Sequence, residues 1–221
     1  MGRRRWGWVG AGYLAGTIQF AYVVARVRDA QRVMAAASGD ASERDAHVLL
    51  AAHAGSGAAA AAIIGDLAKA ALVAIAADRS GLEPAWKAAT GVAVVAGHAF
   101  PFYARPFAAR GITAASGVTL VFLPWPMVVA GSILLAGKAL GHTGPASTLG
   151  FAAVPVVAAL QGKPRALVAM GGAVFGLILA RRMVGIRAVA ARDGWPQALL
   201  RRLLFDADRP TELVPSATHV A

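Results

Sequence analysis

The sequence predicts an all-α protein, a polytopic membrane helical bundle of about seven transmembrane helices, two of them short. Hydrophobic residues occupy 57% of the 221 positions, whereas charged residues occupy only 15%. A soluble domain averages about 25% charged residues, so this chain has too few charges to cover a soluble globule. Apolar runs of spanning length alternate with short polar stretches, as expected of a chain that crosses a membrane several times.

The charge of the chain points to lipid. The net charge is +11, and the arginines fall in the gaps between apolar runs, where basic residues contact anionic headgroups. We therefore expect membrane lipid, and no nucleic acid, as the partner of these arginines. The absence of cysteine excludes disulfides and thiolate chemistry. His47 and His53 have no third ligand at useful spacing, so neither a metal nor another cofactor is expected.

The first apolar run, Trp6–Val24, is long enough to span and carries aromatic residues near both ends. Arginines precede it as in a secretory leader, yet no convincing cleavage site follows, so we expect an uncleaved helix. Gly12 and Gly16 form a small-xxx-small pair, which permits close helix contact. The polar stretch Arg26–Ala46 is then a connector, and its length suggests a functional loop.

The second predicted span, Ser56–Ala77, contains two ionisable residues. Asp66 and Lys69 are three positions apart and therefore share one helical face. Such a pair inside a span usually faces the protein interior or water. It is either an ion pair near one membrane surface or part of a site. A loop, Asp78–Lys87, follows this span.

A third span, Ala88–Tyr103, leads into a turn that carries two prolines. Proline interrupts a helix, so Arg105 and Arg110 are predicted to lie on a short loop at the depth of the headgroups. The guanidinium fork suits phosphate, and backbone N–H groups near Gly111 add to it. The turn is therefore predicted to bind phosphate. His98 precedes it, as either a structural group or a catalyst.

Four more apolar segments complete the bundle. Pro124 and Pro126 separate the first two of them, which are short helices, and a polar connector, Lys138–Ser147, precedes the last two. The predicted helices are Ile112–Leu123, Pro126–Gly137, Thr148–Leu160 and Ala166–Ala180.

The distribution of arginines then sets the topology. An odd number of spans with the N-terminus outside places more basic residues in the cytoplasm, including those of the C-terminal tail. We expect residues 1–190 to form one membrane domain and residues 191–221 to form a cytoplasmic tail, first basic and amphipathic and then disordered.

Several segments resemble motifs of the PlsY family of bacterial membrane acyltransferases. Residues 12–22 resemble the opening helix of that family, Gly-Tyr-Leu-x-Gly-Ser-Ile-Pro-Phe-x-Tyr, with Gln19 at the position of the proline. Residues 97–101 match Gly-His-x-Phe-Pro, and residues 65–69 resemble its Asp-x-x-Lys segment. Residues 37–45 align with a glycine- and asparagine-rich loop of which Ser38 and Gly39 are kept. The likeness covers residues 12–189.

The resemblance implies an enzyme of the bacterial inner membrane that transfers an acyl group from acyl phosphate to glycerol 3-phosphate, giving lysophosphatidic acid for phospholipid biosynthesis. An activated donor of this kind requires positioning and charge stabilisation more than a strong nucleophile. The catalytic candidates are His98, Ser38 and Arg110. The candidates for binding phosphate are Arg105, Gly111, Gly39, Lys69 and Arg187.

The loops depart from the family pattern in ways that keep a second reading open. Asp40 and Asp45 replace asparagines, which puts negative charge where phosphate should bind. Ala108 and Ala109 replace glycines, and Gly185 replaces an asparagine. The alternative to the enzyme is therefore a non-catalytic membrane protein on the same scaffold that binds lipid phosphate or a partner. A small transporter is supported only by the Asp66 and Lys69 pair, since no inverted repeat is visible.

Overall fold

The computed structural model describes residues 2–28, 46–103, 109–200 and 202–203. These residues fold as a helical bundle, which confirms the predicted all-α class. In chain order the helices are α1 Gly2–Thr17, α2 Phe20–Val27, α3 Ala46–Ala54, α4 Ser56–Arg79, α5 Pro84–Ala99, α6 Ile112–Phe122, α7 Pro124–Ala139, α8 Thr143–Leu160, α9 Arg165–Arg182, α10 Ile186–Asp193 and α11 Trp195–Leu200.

All seven predicted apolar segments contain a helix. Within the described residues, three helical stretches are long and apolar enough to cross a membrane by themselves: Arg4–Val27, Ser56–Arg79 and Thr143–Leu160. Helices α9 and α10 add a fourth crossing if they form one span bent by 53°. The count of seven crossings stays a prediction, because α5, α6 and α7 are shorter than a full span.

The loops between the helices are shorter than the sequence suggested. Helix α5 begins at Pro84 and α7 begins at Pro124. Proline suits the first helical position because its ring fixes φ near the helical value and because it has no N–H that would lack a partner there. The predicted loop Asp78–Lys87 therefore shrinks to residues 80–83, and the connector Lys138–Ser147 shrinks to residues 140–142. The proline break after α6 is confirmed, although α6 ends one residue and α7 begins two residues earlier than predicted.

Two other boundaries differ from the predictions. Helix α5 ends at Ala99, not at Tyr103, because Pro101 disfavours helical backbone at Phe100. At its N-terminal end the predicted connector of residues 26–46 is still helical, since α2 continues to Val27. Most of that connector lies outside the described residues, and so does the tail from residue 204 onward.

Glycines bring α1 and α5 into close contact. A Cβ on Gly16 would lie 2.1 Å from the carbonyl oxygen of Val94, and one on Gly97 would lie 2.1 Å from that of Tyr13. Backbone therefore packs directly on backbone, which confirms the close contact predicted for Gly12 and Gly16. The main core fills the space between α4, α5, α6, α7, α8 and α9.

Polar and aromatic pairs mark one end of the bundle. Arg5 forms an ion pair of 2.9 Å with Glu83, and the rings of Trp6 and Trp86 meet edge to face with centroids 5.0 Å apart. Indole rings of this kind favour the membrane interface. His98 lies fourteen residues beyond Pro84 along α5, which is about 20 Å further into the bundle at 1.5 Å per residue.

Candidate functional site

The site forms around a break in the first apolar run. The sequence predicted one helix over residues 6–24, but the helix stops at Thr17 and a second one starts at Phe20. Such a break leaves carbonyls at the end of α1 and N–H groups at the start of α2 without helical partners. Neighbouring side chains supply partners for both sets.

Asp66 and Lys69 of α4 bridge this break. The ammonium of Lys69 donates to the carbonyl of Gly16 at 3.1 Å and to that of Ile18. The carboxylate of Asp66 accepts from the backbone N–H of Phe20 at 3.2 Å. The two side chains also pair with each other at 2.7 Å; that of Asp66 is buried and that of Lys69 is 9% exposed. The two residues thus form an ion pair inside the protein.

His98 joins the same cluster from α5. Its Nδ1 atom lies 3.1 Å from the ammonium of Lys69 and 3.6 Å from Asp66. Lysine can only donate, so the hydrogen bond requires Nδ1 to accept. A neutral imidazole then carries its proton on Nε2. The histidine side chain is 1% exposed.

Two residues that the sequence analysis did not assign to the site complete this cluster. Nε2 of His47, on α3, lies 3.2 Å from Asp66. Gln19, within the break, donates its amide to the carbonyl of His98 at 3.0 Å. Both contacts join residues far apart in the sequence, and neither side chain stands in a pattern that would have indicated its partner.

The turn before α6 lies next to the end of α5. Gly111 has a φ of +84°, in the left-handed region that favours glycine, and it caps the N-terminus of α6. A Cβ at Gly111 would contact Ala99, the neighbour of His98, at 3.6 Å. The half-buried Arg110 precedes it. The turn therefore places the residue Arg110 and the N-terminus of α6 next to the C-terminal end of α5.

Arg181, at the end of α9, fixes this turn. Its Nε donates to the carbonyl of Ala109 at 3.1 Å, and the side chain is buried. This contact joins the turn to the segment that begins at Arg181. The neighbouring Arg182 points elsewhere and donates to the hydroxyl groups of Ser147 and Thr148 on α8.

Two tyrosines connect α1 to the segment that leads into the turn. The hydroxyl of Tyr13 donates to the carbonyl of Phe100 at 2.8 Å, and that of Tyr103 donates to the carbonyl of Thr17. Partial burial raises the pKa of the Tyr103 phenol, and the charge of Asp66 raises it further. The hydroxyl therefore stays protonated and remains a donor.

The predicted site residues are only partly assembled by the described chain. His98 contacts Lys69 beside the break after α1, and Gly111, which Arg110 precedes, packs against Val95 and Ala99 of α5. Arg187 is exposed on α10, and no hydrogen bond links it to the cluster within the described residues. Ser38, Gly39 and Arg105 lie outside the described residues. In the part of the chain that the structure describes, no group of three histidine, cysteine or acidic side chains could hold a metal ion.

Comparison with known sequences identifies relatives over most of the chain. The sequence model described as glycerol-3-phosphate acyltransferase matches residues 6–191. Glycerol-3-phosphate acyltransferase 4 of Dehalococcoides mccartyi is 31% identical over 147 residues, which are 66% of this chain and 62% of the relative. The enzyme of Thioalkalivibrio sulfidiphilus is 34% identical over 132 residues, 59% of this chain and 65% of the relative. The chain thus spans a little under two thirds of these relatives.

The fold also matches solved structures. The crystal structure of PlsY, an integral membrane glycerol 3-phosphate acyltransferase, in its glycerol 3-phosphate form superposes with a TM-score of 0.70. The alignment covers 86% of this chain and 93% of PlsY at 22% identity. The lysophosphatidic acid form superposes with a TM-score of 0.69. The protein therefore has the fold of an integral membrane protein, and by the match over residues 6–191 it belongs to the glycerol-3-phosphate acyltransferase family.

Proposed function

We propose that the protein is a membrane acyltransferase that transfers an acyl group from acyl phosphate to glycerol 3-phosphate and releases lysophosphatidic acid and phosphate. The observation that carries this proposal is that the turn of Arg110 and Gly111 packs against Val95 and Ala99, at the end of the helix that also carries His98. The turn supplies a guanidinium and the amides of a helix N-terminus, and both groups stabilise phosphate oxygens. Relatives named for the same activity support the substrate glycerol 3-phosphate.

The reaction requires little covalent chemistry from the protein. The hydroxyl oxygen of glycerol 3-phosphate attacks the carbonyl carbon, an ester bond forms, and the bond between that carbon and the phosphate oxygen breaks. The leaving phosphate takes the electron pair. We assign Arg110, Arg105 and the amides at Gly111 to the phosphate groups, with Ser38 and Gly39 closing the pocket from the first connector.

His98 orients a phosphate in this scheme. The sequence left two roles for it, orienting phosphate or accepting the proton of the glycerol hydroxyl. Since Nδ1 accepts from Lys69, the neutral ring has a donor at Nε2 and no second acceptor. A donor suits a phosphate oxygen. The hydroxyl proton then leaves with the phosphate product, which is itself a base near neutral pH.

Orientation and compartment are part of the proposal. We place the protein in the bacterial inner membrane with its N-terminus outside, so that the Arg110 turn faces the cytoplasm, where a phosphorylated acceptor would be met. Residues 1–190 form the membrane domain, and residues 191–221 form the cytoplasmic tail. Arg187 lies on this face, as a further contact for phosphate.

An assay of the purified protein in detergent tests the proposal. Radiolabelled glycerol 3-phosphate is supplied with acyl phosphate, or with the acyl thioester of coenzyme A in a parallel sample. The proposal predicts labelled lysophosphatidic acid with acyl phosphate only. Formation of the product from the thioester alone would contradict the donor assignment, and no product from either would contradict the reaction.

A second candidate function is retained because of the altered loops. Asp40 and Asp45 bring negative charge to a loop that should bind phosphate, and Gly185 lacks an amide side chain. A protein without turnover that still binds lysophosphatidic acid would be a lipid-phosphate binding protein on the acyltransferase scaffold. Equilibrium binding of labelled lysophosphatidic acid to the inactive protein distinguishes this function from complete loss of the site.

A further inference from the structure

The break between α1 and α2 depends on side chains from a different helix. Within the described residues, the carbonyls of Gly16 and Ile18 receive hydrogen bonds from Lys69, and the N–H of Phe20 bonds to Asp66. Both residues belong to α4, more than 45 positions away in sequence. A cation on the carbonyl side and a carboxylate on the N–H side complement the partial charges of the two helix ends.

The hydrogen-bonding capacity of Lys69 is fully used inside the protein. An ammonium has three protons, and four acceptors lie within reach: Asp66 at 2.7 Å, Gly16 at 3.1 Å, Ile18, and Nδ1 of His98 at 3.1 Å. The side chain is 9% exposed. A phosphate at Lys69 would have to displace one of these acceptors.

The break and His98 are joined twice. The ring of His98 meets Lys69, and the backbone carbonyl of the same residue accepts from Gln19 inside the break. The position of the imidazole and the course of the chain through residues 17–19 are therefore coupled. A displacement of the imidazole would therefore be transmitted to the break, and the reverse, through either of these two links.

We propose that Asp66 and Lys69 are positioning residues, which hold the helix break and set the orientation and tautomer of His98, and that Lys69 does not contact phosphate. This assignment replaces the phosphate-binding role predicted for Lys69 with the family resemblance. Its kinetic consequence rests on the proposed acyl transfer, whereas its consequences for stability and for the histidine tautomer do not.

The first test separates positioning from phosphate binding by kinetics. For Lys69→Ala we expect kcat to fall about tenfold or more while KM for glycerol 3-phosphate stays within about twofold. The matched control is Lys87→Ala, because Lys87 pairs with Asp78 at the same 2.7 Å but on the exposed end of the bundle. We expect wild-type kinetics for this control. A KM raised about tenfold with kcat unchanged would overturn the proposal.

Chemical rescue adds a second readout. Removal of the Lys69 side chain leaves a space lined by two carbonyls and the carboxylate of Asp66, which suits a small ammonium ion. We expect propylamine to restore both kcat and the melting temperature of Lys69→Ala measured without substrate. The proposal is overturned if Lys69→Ala melts at the wild-type temperature without substrate.

Nuclear magnetic resonance of ¹⁵N-labelled histidine keeps the test independent of turnover. In the wild type we expect the His98 ring to carry its proton on Nε2, with an unprotonated Nδ1. In Lys69→Met, which preserves the apolar stem, this preference should be lost. A wild-type ring with its proton on Nδ1 would overturn the proposal. If the wild type has no turnover but shows the expected tautomer, the proposed reaction fails and the positioning role stands.

Discussion

Replacement of Gly97 by alanine tests the close contact between α1 and α5. The new Cβ would lie 2.1 Å from the carbonyl oxygen of Tyr13, 2.9 Å from its carbonyl carbon and 3.2 Å from the amide nitrogen of Thr17. The shortest of these distances is more than about 1 Å inside van der Waals contact. All three atoms belong to the backbone, so no side-chain rotation can relieve the overlap, and the two helices must move apart.

The cost can be worked out from opposing terms. Alanine stabilises a helix by about 1 kcal/mol relative to glycine. Overpacking of a close contact costs about 1–3 kcal/mol, and a backbone clash belongs at the upper end. The net loss should therefore be about 2 kcal/mol. Because Gly97 precedes His98, a displacement of about 1 Å at the ring should also lower kcat about a hundredfold.

The assay is equilibrium unfolding of the purified protein in mixed micelles, followed by circular dichroism, alongside the acyl transfer rate. Gly10→Ala is the matched control, since it makes the same chemical change on α1, where a Cβ meets nothing within 4 Å. The control should be as stable as the wild type or slightly more stable. A Gly97→Ala protein with wild-type stability and rate would refute the packing argument.

Three further predictions concern the turn and the topology. Arg181→Ala removes the donor to the carbonyl of Ala109, so the turn should loosen and KM for glycerol 3-phosphate should rise about tenfold at unchanged helicity. An unchanged KM would show that Arg181 does not hold the turn in its binding conformation. Gly111→Ala introduces a side chain at a φ of +84° and should lower the free energy of unfolding by about 1–2 kcal/mol. Unchanged stability would show that residue 111 does not adopt this left-handed conformation. The chain has no cysteine, so single replacements at Ser80 and Arg187 report topology: in intact cells a membrane-impermeant maleimide should label Ser80→Cys and spare Arg187→Cys, and the reverse pattern would invert the proposed orientation.

The bundle was predictable because its signals are local. Low charge and long apolar runs indicated the membrane class, and each predicted apolar segment contains a helix. The proline pair after α6 marked a break that the structure contains. Gly12 and Gly16 indicated a close helix contact, although the sequence could not show that they face the carbonyl groups of Thr90 and Val94.

The break after Thr17 was not predictable from local signals. Residues 17–19 include no proline or glycine that would end a helix, so the run was interpreted as one span. The break is stabilised by Lys69 and Asp66, from another helix. Helix α3 was missed for a similar reason, because it follows a polar stretch and packs against α2 and α4 only after folding.

The candidate site was predicted in composition but not in connectivity. The sequence singled out His98, Lys69 and Arg110 by residue type. It could not show that the Lys69 ammonium would donate to a carbonyl at the end of the first helix, or that Arg181 would hold the turn by donating to the carbonyl of Ala109. Such links depend on tertiary contacts between residues up to 72 positions apart, which no local pattern encodes.

The most direct test of the account is the kinetics of acyl transfer for Arg110→Ala against Arg79→Ala, an exposed arginine at the opposite end of the bundle. The account predicts that the wild type and Arg79→Ala form lysophosphatidic acid at equal rates and that Arg110→Ala loses kcat/KM by about a hundredfold or more, as expected when a charge-assisted contact to phosphate is removed. Equal rates for all three proteins, or no product from the wild type, would contradict it.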